Sequence, residues 1–238
     1  MQGYRARIGY TSVAFVTEIF THAFYKMAPD GVTLSLVTIQ QSEFSKNEMD
    51  RLYADTMSGA QRLASSGVDL LVLGGRPVLL SRGESLTNIE TRLSDELGVP
   101  VTTDASAQLA AFHALGSRKV ATVHPFSEHD NDRHDRMIEQ LGLQSAGSLG
   151  GGCDLVGLPK IPVSKALEWG RAMKKRSPDA DTLLFPCPHW AVIEAIDQLE
   201  AELDVLVVTN LQATLWYALR QLKITDKIPG YGRLLRER

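Results

Sequence analysis

Sulfur is scarce in this chain: its 238 residues include two cysteines, Cys153 and Cys187. Two thiols so far apart form neither a disulfide framework nor a zinc-ligand pattern. A dominant charge is lacking too. With 25 Lys and Arg against 28 Asp and Glu, the net charge of −3 gives no field to draw in nucleic acid or an anionic membrane. The basic runs, Lys174-Lys175-Arg176 and the stretch from Arg233 to Arg238, read as solvated faces. No apolar run approaches the ~18 residues of a membrane span. The N-terminus lacks the basic, apolar and small-residue succession of a secretory leader. The expectation is a cytoplasmic protein with reduced thiols.

What is present is alternation. Apolar residues make up 44% of the chain, enough for a sizeable core in one large α/β domain or two small ones. Arg7 to Tyr10 opens a strand ending at Thr11-Ser12, and Ala14 to Met27 carries Phe15, Ile19, Ala23 and Met27 at helical spacing. Val32 to Ile39 alternates as a strand, Lys46 to Ser65 is helical, and Val68 to Leu73 is a run fit for a strand buried on both faces. That run breaks at Gly74-Gly75-Arg76-Pro77. Helices follow at Leu86 to Leu97 and Ala105 to Leu115, with the short strand Val101 to Thr103 between them. Lys119 to Val123 is another strand, and Ser127 to Asp130 has the form of a capping box opening a helix. Gln144 to Pro162 is glycine-rich and reads as loop with at most one short strand; Val163 to Lys175 is helical. Leu183 to Phe185 is a strand, Trp190 to Leu203 a helix, Val205 to Thr209 a strand and Leu211 to Leu222 the last long helix.

Strands alternating with helices imply parallel sheets with crossover helices. The order also repeats. Arg7 to Thr11 corresponds to Lys119 to Val123, and Val68 to Gly75 corresponds to Thr182 to Cys187, with equal intervals from Thr11 to Gly75 and from Val123 to Cys187. The predicted fold is therefore α/β, with two Rossmann-like parallel-sheet halves related by a pseudo-two-fold and an active site in the cleft between them. Residues 1–103 with 211–238 form one half, and 104–210 the other. Gly75 and Cys187 then face each other.

Cys187 sits between two prolines at the carboxyl end of a strand, where open α/β sheets place their ligands. A buried cysteine is most often inert filler. Here the amides of the helix expected from Trp190 would favour an anion and lower the thiol pKa. His189 either shares a proton with Cys187 or is a first-turn histidine with no role. His124, His129, Asp130, Asp132 and His134 make a tempting metal cluster, but helical positions five apart diverge by about 140°, so no metal site is expected. Gly150-Gly151-Gly152 lacks the spacing of a phosphate loop and reads as a loop over the cleft. Arg76 either holds a substrate carboxylate in a bidentate pair or makes a salt bridge at the rim.

Several stretches carry a resemblance. Gly98-Val99-Pro100-Val101-Thr102-Thr103 and Ala114-Leu115-Gly116-Ser117-Arg118-Lys119-Val120-Ala121 are similar to the middle of the aspartate/glutamate racemase superfamily. Ala195-Ile196-Asp197-Gln198-Leu199-Glu200, the run from Val207 to Trp216, and Gly230-Tyr231-Gly232-Arg233-Leu234-Leu235 resemble its maleate isomerase and arylmalonate decarboxylase branch. The resemblance spans nearly the whole chain and implies two α/β halves around one site. It also implies acid/base cysteines at two strand ends: Cys187 matches the second, while the first falls on Gly75 or Gly74, as in arylmalonate decarboxylase. The departures are Arg76-Pro77 in place of Thr-Ser, Phe126 in place of a tyrosine, and Pro188 after the cysteine.

The function so implied is a cofactor-independent lyase acting on a small malonate-type or dicarboxylate substrate. Cys187 is the proton donor. Thr11, Ser12, Gly75, Arg76, Phe126, Pro188 and His189 surround the substrate, with Thr11, Ser12 and Arg76 holding carboxylates. The alternatives are a maleate-type cis-trans isomerase, a cysteine hydrolase using His189, or a carboxylate-binding protein without turnover. The expected partner is a small carboxylate; neither nucleic acid nor membrane is expected, and a homo-oligomer is left open.

Overall fold

The computed structural model describes residues 3–14, 16–41 and 46–238. The elements run β1 (Ala6–Val13), α1 (Glu18–Met27), β2 (Val32–Ile39), α2 (Lys46–Ser65), β3 (Leu70–Leu73), α3 (Arg76–Leu79), α4 (Leu86–Leu97) and β4 (Val101–Thr103). They continue with α5 (Asp104–Leu115), β5 (Lys119–His124), α6 (Asn131–Gln140), β6 (Gln144–Gly150), α7 (Val163–Arg176), β7 (Thr182–Phe185), α8 (Ile196–Leu203), β8 (Leu206–Thr209), α9 (Asn210–Gln221) and α10 (Gly232–Glu237). The first four strands form one sheet in the order β2-β1-β3-β4, and the second four form another in the order β6-β5-β7-β8. Every pairing is parallel. The two sheets thus share one strand order, the repeat expected of two α/β halves.

The pairing follows from burial. β3 and β7 are inner strands of their sheets, all four residues of each are buried, and both are apolar or β-branched. Thr11 lies beside Leu73 at the end of the β1–β3 ladder, and the Gly74 amide extends it by donating to the Thr11 carbonyl at 2.9 Å. The halves are joined by α5 and α9, which pack on each other through small side chains such as Ala107, Ala111 and Ala213. Arg5 to Asp226, at 2.6 Å, ties the C-terminal segment back to the first sheet.

Several local expectations are corrected. β1 continues to Val13 because it pairs with β2 over its full length, as far as Ile39. Helix α1 begins at Glu18 rather than Ala14; Phe15, placed on that helix by its spacing, lies outside the described residues. The glycine-rich stretch contributes a seven-residue strand, β6, since its backbone ladder with β5 does not need large side chains. Ser127 does accept from a backbone amide, that of His129 at 3.3 Å, but it caps a 3-10 turn, and Asp130 pairs with Arg133 instead of capping. The helix expected from Trp190 starts at Ile196. The Trp190 ring is drawn into the core against Phe185 and Trp169, with centroids 5.9 and 5.3 Å away, and the chain reaches the helix through a 3-10 turn at Ile193–Ala195.

Candidate active site

The site grows out of two strand ends. After β3 the chain has to turn sharply, and two glycines make the turn possible. A side chain on Gly74 would stand 2.5 Å from the Tyr10 hydroxyl and 2.6 Å from the Thr11 carbonyl. Gly75 has φ +89°, where side chains are strained, and a Cβ there would meet Val13 at 2.7 Å. Gly75 caps α3, and Arg76 and Pro77 open it, proline suiting a first-turn position that needs no amide hydrogen. After β7 the chain passes through Pro186-Cys187-Pro188 without regular structure.

These two ends line one cavity of about 350 Å³. Gly75, Arg76, Phe126, Cys187, Pro188 and His189 all contribute to its wall. Thr11 and Ser12 do not. Both are fully buried within β1, where Thr11 Oγ1 accepts from the Gly74 amide at 3.4 Å and Ser12 Oγ points into protein without a partner. On the same strand Tyr10 and Val13 do reach the cavity.

Cys187 is 7% exposed. Burial pushes its thiol up to about 12, only partly offset by the His189 amide that points at the sulfur. The expected lowering by a helix N-terminus is therefore reversed, because the helix begins at Ile196 and desolvation outweighs the one amide. His189 is also buried, and desolvation brings its imidazole down to about 4. Among the described residues no hydrogen bond joins its ring to Cys187, and its Nδ1 has no partner. At neutral pH the pair is a thiol and a neutral imidazole.

The sequence reading missed the polar groups facing them. Asp104, at the start of α5, and Asn210, at the start of α9, both line the cavity. Asn210 Nδ2 donates to Asp104 Oδ2 at 3.1 Å, while Asp104 Oδ1 and Asn210 Oδ1 are buried without partners. Burial raises the Asp104 pKa against the opposing pull of Asn210, the Arg76 charge, and the Gly75 and Ala105 amides. Arg76 is half-buried; desolvation lowers its pKa and Asp104 raises it. Tyr10 is held neutral by burial, then by Asp104 and Cys187. The half-repeat carried a signal for these residues: Thr103-Asp104 and Thr209-Asn210 each close a strand, and both threonines cap the helix that follows.

One wall comes from α6. His134 lines the cavity and stacks on His124 with ring centroids 4.1 Å apart; Phe126 lies parallel to His134 at 6.5 Å. Desolvation lowers His134 to about 3, and neither ring nitrogen has a partner. His129 is exposed and apart from them. Among the described residues, no three His, Cys, Asp or Glu side chains are grouped to hold a metal ion. No helix among them is long and apolar enough to cross a membrane.

Chemically, the cavity offers one protonated thiol, one half-buried guanidinium and one buried carboxyl group, with Arg133 and Arg136 farther along the α6 wall. Comparisons with known proteins place the chain in a family. The family model described as arylmalonate decarboxylase matches residues 25–235. Arylmalonate decarboxylase of Bordetella bronchiseptica is 27% identical over 196 residues, covering 79% of this chain and 80% of its own length. Maleate isomerase of Pseudomonas putida is 23% identical over 236 residues, covering 92% and 91%. In structure, maleate isomerase Iso of Pseudomonas putida S16 superposes with a TM-score of 0.84 at 22% identity over 98% of both chains. A liganded arylmalonate decarboxylase variant, with one glycine changed to cysteine and one cysteine to serine, superposes at 0.85 with 23% identity, over 96% of this chain and 98% of its own. The fold is the same in all of them. The chain belongs to the arylmalonate decarboxylase family, an enzyme of the decarboxylase and isomerase branch of the aspartate/glutamate racemase superfamily.

Proposed function

We propose that the enzyme is a cofactor-independent lyase that decarboxylates a small malonate-type substrate, with Cys187 as the proton donor. The observation that carries this reading is the one-sided cavity: a buried, protonated thiol on one strand end and glycine on the other. Arg76 holds the carboxylate that remains, its guanidinium gaining strength from the apolar surroundings. The carbon–carbon bond to the second carboxylate breaks, carbon dioxide leaves, and the electron pair enters an enediolate. The Cys187 thiol then gives its proton to the α-carbon, and the thiolate regains one from solvent. A thiol held up to about 12 is a poor source of thiolate but keeps its proton ready for a strongly basic carbanion.

The test is carbon dioxide release from phenylmalonate, with the product's α-hydrogen read by NMR. Cys187→Ala is expected to lower turnover by a factor on the order of 10² to 10⁴ with folding retained. A variant that keeps full turnover overturns the role. The match to maleate isomerase along 92% of the chain favours a second reading, cis-trans isomerisation by thiolate addition to a double bond. Incubation with maleate, followed by NMR for fumarate, separates the two. Against a hydrolase using His189 stands the missing hydrogen bond between that ring and the sulfur.

A further inference from the structure

The buried charges of the cavity do not balance for an anionic ligand. Cys187, Tyr10, His189 and His134 are all neutral near pH 7. Of the charged residues on its wall, Arg133 pairs with Asp130 and Arg136 is exposed. That leaves the half-buried Arg76 and the buried Asp104, and among the described residues Arg76 is the charged group acting on Asp104. With Asp104 ionised, the two cancel. A carboxylate entering between them would then lie beside a second carboxylate with Arg76 already neutralised, an arrangement with a desolvation and repulsion cost. With Asp104 protonated, Arg76 is free to compensate the ligand.

Asn210, Arg76 and the Gly75 and Ala105 amides favour the ionised form of Asp104 in the free protein, but the geometry leaves one oxygen open to a proton. Oδ2 accepts from Asn210, but Oδ1 is buried, unpartnered and part of a carboxyl group that lines the cavity. A protonated Oδ1 is a donor in search of an acceptor. The elements packed around it supply Tyr10 from β1, Arg76 from α3, Asn210 from α9, and Gln108 from its own helix, whose Nε2 is already bound to the Asp104 carbonyl at 3.2 Å. None of these neighbours is an acceptor committed to that oxygen.

We propose that Asp104 is a carboxylate-binding residue of this cavity: it takes up one proton from solvent when a carboxylate ligand binds and donates it through Oδ1, alongside Arg76. This rests on the reading of the cavity as a carboxylate site. It adds a coupling between binding and protonation, and it assigns the second half of a carboxylate clamp to a residue outside the two strand-end loops.

The test is isothermal titration of the wild-type protein with phenylacetate, a carboxylate with no carbon dioxide to lose, in phosphate and in Tris at pH 6, 7 and 8. The difference in heat between buffers counts protons. Uptake is expected to approach one proton per bound phenylacetate at the highest pH, with affinity falling about tenfold per pH unit there. The isosteric variant Asp104→Asn can still donate from its amide. It is expected to bind phenylacetate with no proton uptake and with an affinity independent of pH. The proposal is overturned if the wild type binds without uptake at all three pH values, if it does not bind phenylacetate, or if Asp104→Asn keeps the wild-type uptake. The wild-type series decides by itself should the variant fail to fold. Carbon dioxide release from phenylmalonate, measured on the same wild-type protein, separates the two readings. Turnover without uptake removes the role of Asp104 and leaves the lyase; uptake without turnover does the reverse.

Discussion

Asn210 Nδ2 donates to Asp104 Oδ2 across 3.1 Å, and the two residues hold equivalent places behind the two sheets: each is the first residue of a helix that leaves the last strand of its sheet. The pair therefore ties the start of α5 to the start of α9 at the cavity wall. It is buried on both sides, so losing one partner strands the other. Asn210→Ala should lower unfolding stability by about 1–3 kcal/mol, the usual cost of leaving a buried polar group unpaired. Urea denaturation measures this directly; an unchanged midpoint would mean that the bond is replaced by water.

Gly75 makes a different kind of demand. Its φ of +89° and the Val13 side chain 2.7 Å from a would-be Cβ are separate obstacles, one in the backbone and one in packing. Gly75→Ala should destabilise the protein by about 1–3 kcal/mol from the strained conformation alone. Pairing it with Val13→Ala should recover the packing part and none of the backbone part. Thermal unfolding of the single and double variants distinguishes them, and full recovery would show that φ is not the constraint.

The strands and their order were legible in the sequence because buried parallel strands are continuous apolar runs, as in Leu70 to Leu73 and Thr182 to Phe185. The same patterns located Gly75 and Cys187. What the sequence could not convey was the environment of the thiol. The helix expected from Trp190 would have favoured a thiolate; instead the tryptophan ring turns inward, the helix starts six residues later, and desolvation governs. Thr11 and Ser12 were expected at the site because their strand reads as ending with them; β1 instead runs on to Val13, and both side chains are buried within it. Asp104 and Asn210 went unseen because each is an ordinary helix-opening residue taken alone, and only the packing of α5 on α9 brings them together.

Arg76 stands where the relatives' resemblance leads one to expect hydroxyl groups, and it is half-buried with Asp104 as its charged neighbour. A carboxylate ligand gains a charge-assisted hydrogen bond from it. Arg76→Met keeps the length of the side chain and removes the charge. The KM for phenylmalonate should rise by roughly 10- to 100-fold, corresponding to about 1.5–3 kcal/mol, with a smaller change in kcat. Arg76→Lys should restore only part of the affinity, because an ammonium does not offer two parallel donors. An unchanged KM in the methionine variant would place the carboxylate elsewhere, with Arg133 and Arg136 on α6 the next cations along the wall.

The buried histidines predict how the enzyme responds to acid. His189 is lowered to about 4 and His134 to about 3, both by desolvation, from an ordinary value of 6.5. Their folded pKa values lie below the unfolded ones, so from pH 6.5 down to about 4 the unfolded chain binds protons that the folded protein refuses. Stability is fully present above pH 6.5 and is lost as pH falls through that window, on the order of 1.4 kcal/mol per pH unit for each histidine. His134→Phe removes one titrating group and can retain the stack on Phe126. In urea denaturation between pH 7 and 4.5, its stability should fall with pH less steeply than the wild type's by close to one proton. Comparing the two proteins cancels the contributions of the carboxyl groups, which are common to both. An identical slope would show that His134 is protonated in the folded state and that the wall of α6 is open to water.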